Sequence, residues 1–222
     1  MEEEISGRQR KLLKQYTELL ASYGGKIRLT GPSDPETIWQ DHIQDCLFTV
    51  PFLPAGGKAV DVGSGGGLPG LVWAVMRPDL EITLLDSVRK KCGALEEIGA
   101  SLGLSNIRVV WGRCEEFAAN ERELFDFAGA RAVAETGLLA EYLAPLVKAP
   151  GGRALAMKGP GYTKEIEPLG GKWQRLGFDE PAVIPYSIRG KSRYLLLWMK
   201  KYPCPKEYPR RTGTAAKNFW WR

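Results

Sequence analysis

The chain has 222 residues, of which 44% are apolar and 26% are charged, and its net charge is +5. This composition is typical of a globular protein and excludes a disordered chain. No stretch approaches the ~20 apolar residues of a membrane span, and the acidic start at 1–4 lacks the apolar core of a signal peptide. We therefore expect a cytoplasmic protein, with no membrane partner, built as one α/β domain with an extension.

The charge is spread unevenly along the chain. Ten Lys and Arg residues and one acid lie between Arg189 and Arg222, which gives this segment a charge of +9 and leaves −4 for residues 1–188. A basic and aromatic segment favours a polyanionic partner. On charge alone, a solvated surface explains it equally well.

The cysteines and the single histidine show no metal-site pattern. Cys46, Cys92, Cys114 and Cys204 form no CxxC pair, and His42 stands alone. Structural zinc sites use closely spaced Cys and His pairs. We expect reduced thiols and no metal.

The first 55 residues predict helices. Apolar residues recur at helical spacing up to a stop at Gly24-Gly25, and a second helix is expected over 36–50, after Pro35. We therefore assign residues 1–55 to a helical N-terminal subdomain.

From Lys58 onward, strands alternate with helices. Strands are predicted over 59–62, 82–86, 107–111, 125–130 and 153–157, helices over 90–102 and 136–148, and a hairpin from 182–188 and 194–199. This order predicts an α/β fold with a doubly wound, mostly parallel seven-stranded sheet and a C-terminal antiparallel hairpin. We assign it to residues 56–202 and regard 203–222 as a basic tail.

The most informative stretch is the glycine-rich loop at 60–70, directly after the first strand. Its glycines allow a sharp turn and let a ligand approach the backbone. Asp86 ends the second strand 19 residues after Gly67, where a carboxylate can accept the hydroxyls of a ribose. A glycine loop alone more often serves a tight turn, but strand, loop, helix and acid together predict a nucleotide site.

Two cofactor classes fit this loop. The segment 65–70 matches G-x-G-x-x-G, so a dinucleotide such as NAD stays open. However, Asp61 would repel a pyrophosphate and suits a cationic ligand, and an antiparallel C-terminal hairpin is foreign to dinucleotide folds. S-adenosylmethionine, with a sulfonium and no phosphate, is the favoured cofactor.

The chain resembles the RsmG (GidB, glucose-inhibited division protein B) family of methyltransferases from about residue 26 to residue 217. The residues that carry the resemblance are Leu29-Thr30, His42–Leu47, Asp61–Gly70, Leu85–Lys91, Arg113–Glu116, Arg131-Ala132 and Leu155–Gly159. The resemblance implies a class I, Rossmann-like fold that uses S-adenosylmethionine to methylate N7 of a guanine in the 530-loop region of 16S rRNA.

The resemblance also implies which residues form the site. Methionine-side contacts would come from Gly63 and Leu68, ribose contacts from Asp86, and adenine contacts from Cys114 and Glu115. The full set of expected cofactor residues is Gly63, Gly65, Gly67, Leu68, Asp86, Ser87, Cys114, Glu115 and Arg131. Arg131 would face the cofactor and the RNA, as the single residue with a catalytic, positioning role. An ion pair with Glu135 or a neighbouring acid is its alternative role.

Basic residues are expected to bind the RNA, either as 16S rRNA or within the small ribosomal subunit. They are Arg89, Lys90, Lys158, Arg189, Lys191, Arg193, Arg210 and Arg211. Trp220-Trp221 would either stack on bases or form a frayed end. We expect a monomer.

The expected chemistry needs little from the protein. Guanine N7 has a lone pair and loses no proton on attack, so positioning and desolvation can supply much of the rate without a general base. His42 is accordingly expected to be a packing residue. A dinucleotide-dependent oxidoreductase and a non-enzymatic RNA-binding protein are the competing hypotheses.

Overall fold

A computed structural model of the protein describes residues 5–23, 27, 29–31 and 34–222. Its seven strands form one sheet in the order β3-β2-β1-β4-β5-β7-β6. The strands are β1 (Gly57–Val62), β2 (Leu80–Asp86), β3 (Ile107–Trp111), β4 (Phe127–Arg131), β5 (Arg153–Lys158), β6 (Ala182–Ile188) and β7 (Lys191–Met199). Strands β1 to β5 are parallel, and β7 runs antiparallel to both of its neighbours. The predicted fold class is confirmed.

Eight α-helices flank the sheet in the part of the chain that is described. They are α1 (Gly7–Ser22), α2 (Pro35–Ile38), α3 (Gln44–Leu47), α4 (Gly70–Met76), α5 (Arg89–Ser101), α6 (Cys114–Asn120), α7 (Thr136–Leu143) and α8 (Tyr162–Ile166). The second predicted helix is therefore interrupted, because a π-helical turn at Trp39–Ile43 separates α2 from α3. The predicted stop at Gly24-Gly25 lies outside the described residues.

Helices cover both faces of the sheet, as a doubly wound fold requires. Helices α1, α4 and α5 pack on one face, in a core that includes Leu13, Trp73 and Leu95. Helices α6 and α7 pack on the other face with Phe117 and Leu143. Both faces of the central strands are thus covered, and the last four residues of β1 and the first four of β4 are buried.

Two of the predicted boundaries that differ from the structure have a local reason. The hairpin turn consists of only Arg189 and Gly190, with φ angles of 51° and 74°, so β7 begins at Lys191. Two central residues with positive φ match the right-handed twist of the paired strands. Helix α7 ends at Leu143 rather than at residue 148, because Val147 pairs with Phe125 in an isolated β-bridge.

The N-terminal helices are part of the same core as the sheet. The hydroxyl of Tyr16 on α1 donates to the carbonyl of Gly66, with 2.7 Å between the oxygens. The indole nitrogen of Trp73 on α4 donates to the hydroxyl of Thr49, 2.7 Å away. Helix α1 therefore contacts the glycine loop directly. The domain boundaries at residues 55 and 202 stay predictions.

The last residues of the chain pack against the sheet domain, which corrects both expectations for the tryptophan pair. Trp220 and Trp221 are 3% and 6% exposed, so they neither fray nor present a face to a base. The Trp220 indole donates to the carbonyl of Gly137, 2.7 Å away. A Cβ on Gly137 would lie 2.5 Å from the ring of Trp221, so only glycine admits this ring at the start of α7.

Among the described residues, no helix is both long enough and apolar enough to cross a membrane.

We predict that Trp220→Ala lowers the free energy of unfolding by about 3–5 kcal/mol, because it empties a buried aromatic site. Chemical denaturation followed by circular dichroism measures this loss. Trp111→Ala is the matched control, since Trp111 is 58% exposed and its removal leaves no cavity. Equal stability of the two variants would show that the tryptophan pair does not anchor the tail.

Candidate active site

The glycine loop after β1 folds back tightly over the end of the strand. Gly63 has a φ of +71°, and a Cβ there would lie 2.5 Å from a side-chain carbon of Val133. Gly67 has a φ of +93° and equally little room beside Leu71. Both positions require glycine, for conformation and for space. The predicted sharp turn is present.

Asp86, at the end of β2, joins the glycine loop after β1 to the loop that follows β2. One carboxylate oxygen accepts from the backbone N–H of Gly65, and the other accepts from that of Val88, both at 2.8 Å. Asp86 is 6% exposed. The predicted ribose acid therefore also fixes the two loops between which a nucleoside would lie.

Asp61 lies buried beneath the glycine loop. Its Oδ2 accepts from the N–H of Gly70 at 2.9 Å, while Oδ1 is buried with no hydrogen-bond partner in the described part of the chain. Burial raises the pKa of Asp61 to about 7. A nearby cation would favour the ionised carboxylate, as expected for a ligand with a sulfonium or an ammonium group.

A cavity of about 270 Å³ opens above the loop. Among the predicted cofactor residues it is lined by Gly63, Gly65, Leu68 and Arg131, and Lys91 also lines its wall. The cationic side chains suit a ligand carboxylate, and the buried acid below suits a ligand cation. The residues present therefore fit the amino-acid part of S-adenosylmethionine.

Arg131 ends β4, and its guanidinium contacts side chains of the N-terminal helices. Its side chain is 17% exposed, and its Nε lies 3.4 Å from Oδ2 of Asp45. Tyr186 of β6 donates to Oδ1 of the same carboxylate at 2.7 Å, and its ring stacks on Phe48 with 4.1 Å between centroids. Asp45 thus contacts the guanidinium directly, and Tyr186 from the C-terminal hairpin holds Asp45 in place.

His42 completes this arrangement. Its Nδ1 contacts Nη2 of Arg131, and because a guanidinium only donates, Nδ1 accepts and the ring proton lies on Nε2. Burial, and then the charge of Arg131, lower the pKa of His42 to about 4. The ring is neutral at physiological pH. It positions Arg131 rather than acting as a strong base, and it also lines the cofactor cavity.

The remaining predicted cofactor residues do not line this cavity. The exposed Ser87 follows Asp86, and its carbonyl accepts from the indole of Trp111. Cys114 and Glu115 begin α6, with the thiol of Cys114 directed at the carbonyl of Tyr142. Glu115 is 8% exposed, and one of its oxygens lies 3.4 Å from the N–H of Gly213 in the tail.

Two of the predicted RNA-binding cations are used inside the protein. The Nζ of Lys158 lies 2.6 Å from Oε2 of Glu165, and its side chain is 9% exposed. Arg210 pairs at 2.6 Å with Glu141, which is fully buried. A fully buried acid such as Glu141 needs a charged partner, which gives Arg210 a structural role, and Lys158 is itself largely buried against Glu165. The other predicted cations are exposed or partly exposed: Arg89, Lys90, Arg189, Lys191, Arg193 and Arg211.

Sequence analysis missed several residues of this edge. Asp45 pairs with Arg131, and Tyr186 bonds to Asp45, from segments far apart in the chain, so no local pattern reveals these contacts. Trp111 is a large exposed aromatic at the end of β3, with the guanidinium of Arg89 5.1 Å from its ring centroid. The only sequence signal for Trp111 is an aromatic at the carboxyl end of a parallel strand, where ligands bind.

All four cysteines are free and buried. The described residues contain no cluster of three or more His, Cys, Asp or Glu side chains that could hold a metal ion.

This sheet order, with a glycine loop after β1 and an acid at the end of β2, defines a class I S-adenosylmethionine-dependent methyltransferase. A family model described as "rRNA small subunit methyltransferase G" (GidB) matches residues 9–191. The chain belongs to this family, as its motifs predict.

Curated relatives agree over nearly the whole chain. A protein of Moorella thermoacetica named ribosomal RNA small subunit methyltransferase G is 39% identical over 212 residues, which cover 93% of this chain and 88% of the relative. A protein of the same name from Symbiobacterium thermophilum is 38% identical and covers 91% and 87%.

Solved structures support the fold. A variant of a 16S rRNA adenine-N1 methyltransferase from Catenulisporales acidiphilia, solved with its cosubstrate SAM, superposes with a TM-score of 0.55 at 16% identity. The match covers 73% of this chain and 93% of that one. An rRNA methylase from Streptococcus thermophilus gives a TM-score of 0.51 at 17% identity, with 72% and 95% covered.

We predict that Asp61→Asn stabilises the ligand-free protein, and does so increasingly as the pH rises from 5 to 8. The folded-state pKa of Asp61, about 7, lies above the ordinary 3.8, so the folded state holds the extra proton and wild-type stability falls as the pH rises through this window. The same substitution should weaken S-adenosylmethionine binding, because the charge that suits a cation is lost.

Thermal unfolding at several pH values, with and without the cofactor, measures both effects. Asp126→Asn is the control of opposite sign. Although partial burial acts to raise the pKa of Asp126, hydrogen bonds from Lys148 and Lys58 lower it overall, so its replacement should destabilise the protein at neutral pH and above. A pH-independent difference between Asp61→Asn and wild type would contradict the assignment.

Proposed function

We propose that this protein transfers a methyl group from S-adenosylmethionine to N7 of a guanine in the RNA of the small ribosomal subunit. The observation that carries the proposal is the position of Arg131. It lines the cofactor cavity and also a second cavity of about 510 Å³ at the ends of β4 and β5. A base in the second cavity would meet the cofactor's methyl group where the two cavities adjoin.

The residues at this junction suit an acceptor that loses no proton. The cofactor, when bound, supplies a methyl group on a cationic sulfur. His42, with a pKa of about 4, is a poor proton acceptor, and Asp45 is paired with Arg131 and Tyr186. Guanine N7 offers a lone pair and needs no base. Arg131 can donate to O6, beside N7 on the same edge of the base.

We propose the cofactor contacts from the lining of the cavity and from the family match. Gly63, Gly65 and Leu68 would hold the methionine part, with Gly67 shaping the loop. Asp86 and Ser87 would lie beside the ribose, and Cys114 and Glu115 beside the adenine. The tail residue Gly213 contacts Glu115, so the adenine amino group would replace this weak contact.

The basic residues lie along the same edge as the cofactor cavity. Arg89 and Lys90 follow the end of β2. Arg189, Lys191 and Arg193 lie at the hairpin turn, which extends past the end of β5 because β7 is antiparallel to it. Together with Arg211, these cations would contact phosphates. A cytoplasmic location and a monomeric state stay predictions.

To test the methyl transfer, we would incubate small subunits lacking the modification with labelled S-adenosylmethionine and map the product. We expect label on N7 of a single guanine. Arg131→Lys keeps the positive charge but loses the planar guanidinium, whose nitrogens contact Asp45 and His42. The kcat of this variant should therefore fall about tenfold or more. Arg108→Lys, at an exposed pair with Glu121, is the matched control.

RNA binding without label would support the competing hypothesis of a non-enzymatic RNA-binding protein. Thermal stabilisation by NAD and not by S-adenosylhomocysteine would support an oxidoreductase. Full activity of Arg131→Lys would show that the guanidinium of Arg131 is not needed to position the guanine.

The exposed Trp111 gives a separate prediction about RNA binding. A ring with an open face beside Arg89 and Lys90 can stack on an unpaired base, so Trp111→Ala should weaken RNA binding about five- to a hundredfold. Filter binding at several salt concentrations measures this loss. Tyr202→Ala is the control, because Tyr202 is 65% exposed but follows β7 at the opposite edge of the sheet. Equal effects of the two variants would contradict a stacking site at Trp111.

A further inference from the structure

The second cavity contains a carboxylate for which the methyl transfer has no use. The cavity is lined by Asp45, Arg131, Met157, Lys158, Glu165 and Arg193, among others. Arg131 lies where this cavity adjoins the cofactor cavity, whereas Glu165 lines only the second one. A planar base with its reactive atom at the junction would therefore have its opposite edge within reach of a different group.

Glu165 on α8 is fixed in place through one of its two oxygens. Oε2 accepts from Nζ of Lys158 at 2.6 Å, and from the hydroxyl and the N–H of Thr136 at 2.6 Å and 2.7 Å. Thr136 is the first residue of α7, where an anion is favoured by the helix dipole. In the described part of the chain no donor reaches Oε1, and the side chain is 31% exposed.

This carboxylate is an acceptor at neutral pH. Partial burial acts to raise its pKa, but hydrogen bonds from Lys158 and Thr136 lower it below its ordinary value. An ionised carboxylate can only accept hydrogen bonds. Its free oxygen therefore suits a ligand edge made of N–H groups and disfavours an edge that presents a lone pair.

Guanine matches this requirement, and adenine does not. Guanine carries adjacent donors, N1–H and the 2-amino group, on the edge away from N7, whereas adenine has an acceptor at N1. We propose that Glu165 reads the N1–H and 2-amino groups of the target guanine and so determines that the base is guanine. This inference rests on the proposed transfer to guanine N7. It also requires the base to leave its stack and enter the cavity, as in other enzymes that modify bases.

A neighbouring acid offers the same chemistry and has to be distinguished. Glu135 lines the cavity but is exposed, and no hydrogen bond fixes its carboxylate within the described residues. Glu165 is the better reader, because a group already held by three donors loses little conformational freedom when it binds a base. Glu167, also exposed, does not line the cavity and serves as a charge-matched control.

The experiment compares guanosine with inosine, which lacks only the 2-amino group. Small subunits are reconstituted on RNA with either nucleoside at the position that the wild-type enzyme labels. For the wild type, kcat/KM should be about tenfold or more higher on guanosine, because one hydrogen bond to a charged group is lost with inosine. In Glu165→Gln this ratio should fall to about one to three, whereas Glu135→Gln and Glu167→Gln should keep the wild-type ratio.

The ratio of kcat/KM on guanosine to kcat/KM on inosine distinguishes a specificity role of Glu165 from a purely structural one. If Glu165 were only structural, its substitution would slow the reaction on both substrates equally. An unchanged ratio in Glu165→Gln, a loss of the ratio in Glu135→Gln, or a wild-type ratio near one would each overturn the proposal. If Glu165→Gln does not fold, Glu165→Asp keeps the charge near Lys158 but withdraws the free oxygen, and it should also lower the ratio. Absence of label on guanosine with the wild type would instead refute the proposed function itself.

Discussion

The largely buried guanidinium of Arg131 is the constraint on which the arrangement at the carboxyl ends of the parallel strands depends. Arg131 ends β4 with its side chain 17% exposed, and a buried charge is costly unless it is paired and hydrogen-bonded. Asp45 pairs with it, His42 accepts from it and Tyr186 of the hairpin holds Asp45. The N-terminal helices and the C-terminal hairpin are therefore fastened to one central strand. The same cation orders the wall shared by the two cavities.

The buried acid beneath the glycine loop costs the ligand-free protein stability. Asp61 carries a buried oxygen with no partner in the described part of the chain. A core optimised for stability would avoid an unpaired buried acid. Strain of this kind is expected at binding sites, where a ligand later supplies the missing interaction.

Local patterns revealed most of the fold, and distant contacts explain the remainder. Strand β3 lies at its predicted bounds, because the apolar segment from Ile107 to Trp111 contrasts with its polar flanks. The charge of the C-terminal segment overstates how many of its cations lie on the surface. Lys200 is fully buried with its amine on two carbonyls, and Arg210 pairs with Glu141. From the sequence alone, a basic side chain is expected on the surface. Its internal partner, here 69 residues away in the chain, becomes visible only in the structure.

The bond between Tyr186 and Asp45 has a consequence for how the protein folds. It joins residues 141 positions apart, and contacts of high sequence separation form late, because a long loop must first be closed. Strands β1 and β2 can pair soon after they are made, but the orientation of Arg131 waits for β6 and β7. A growing chain therefore forms its glycine loop well before the guanidinium of Arg131 reaches its final orientation, which comes only with the hairpin.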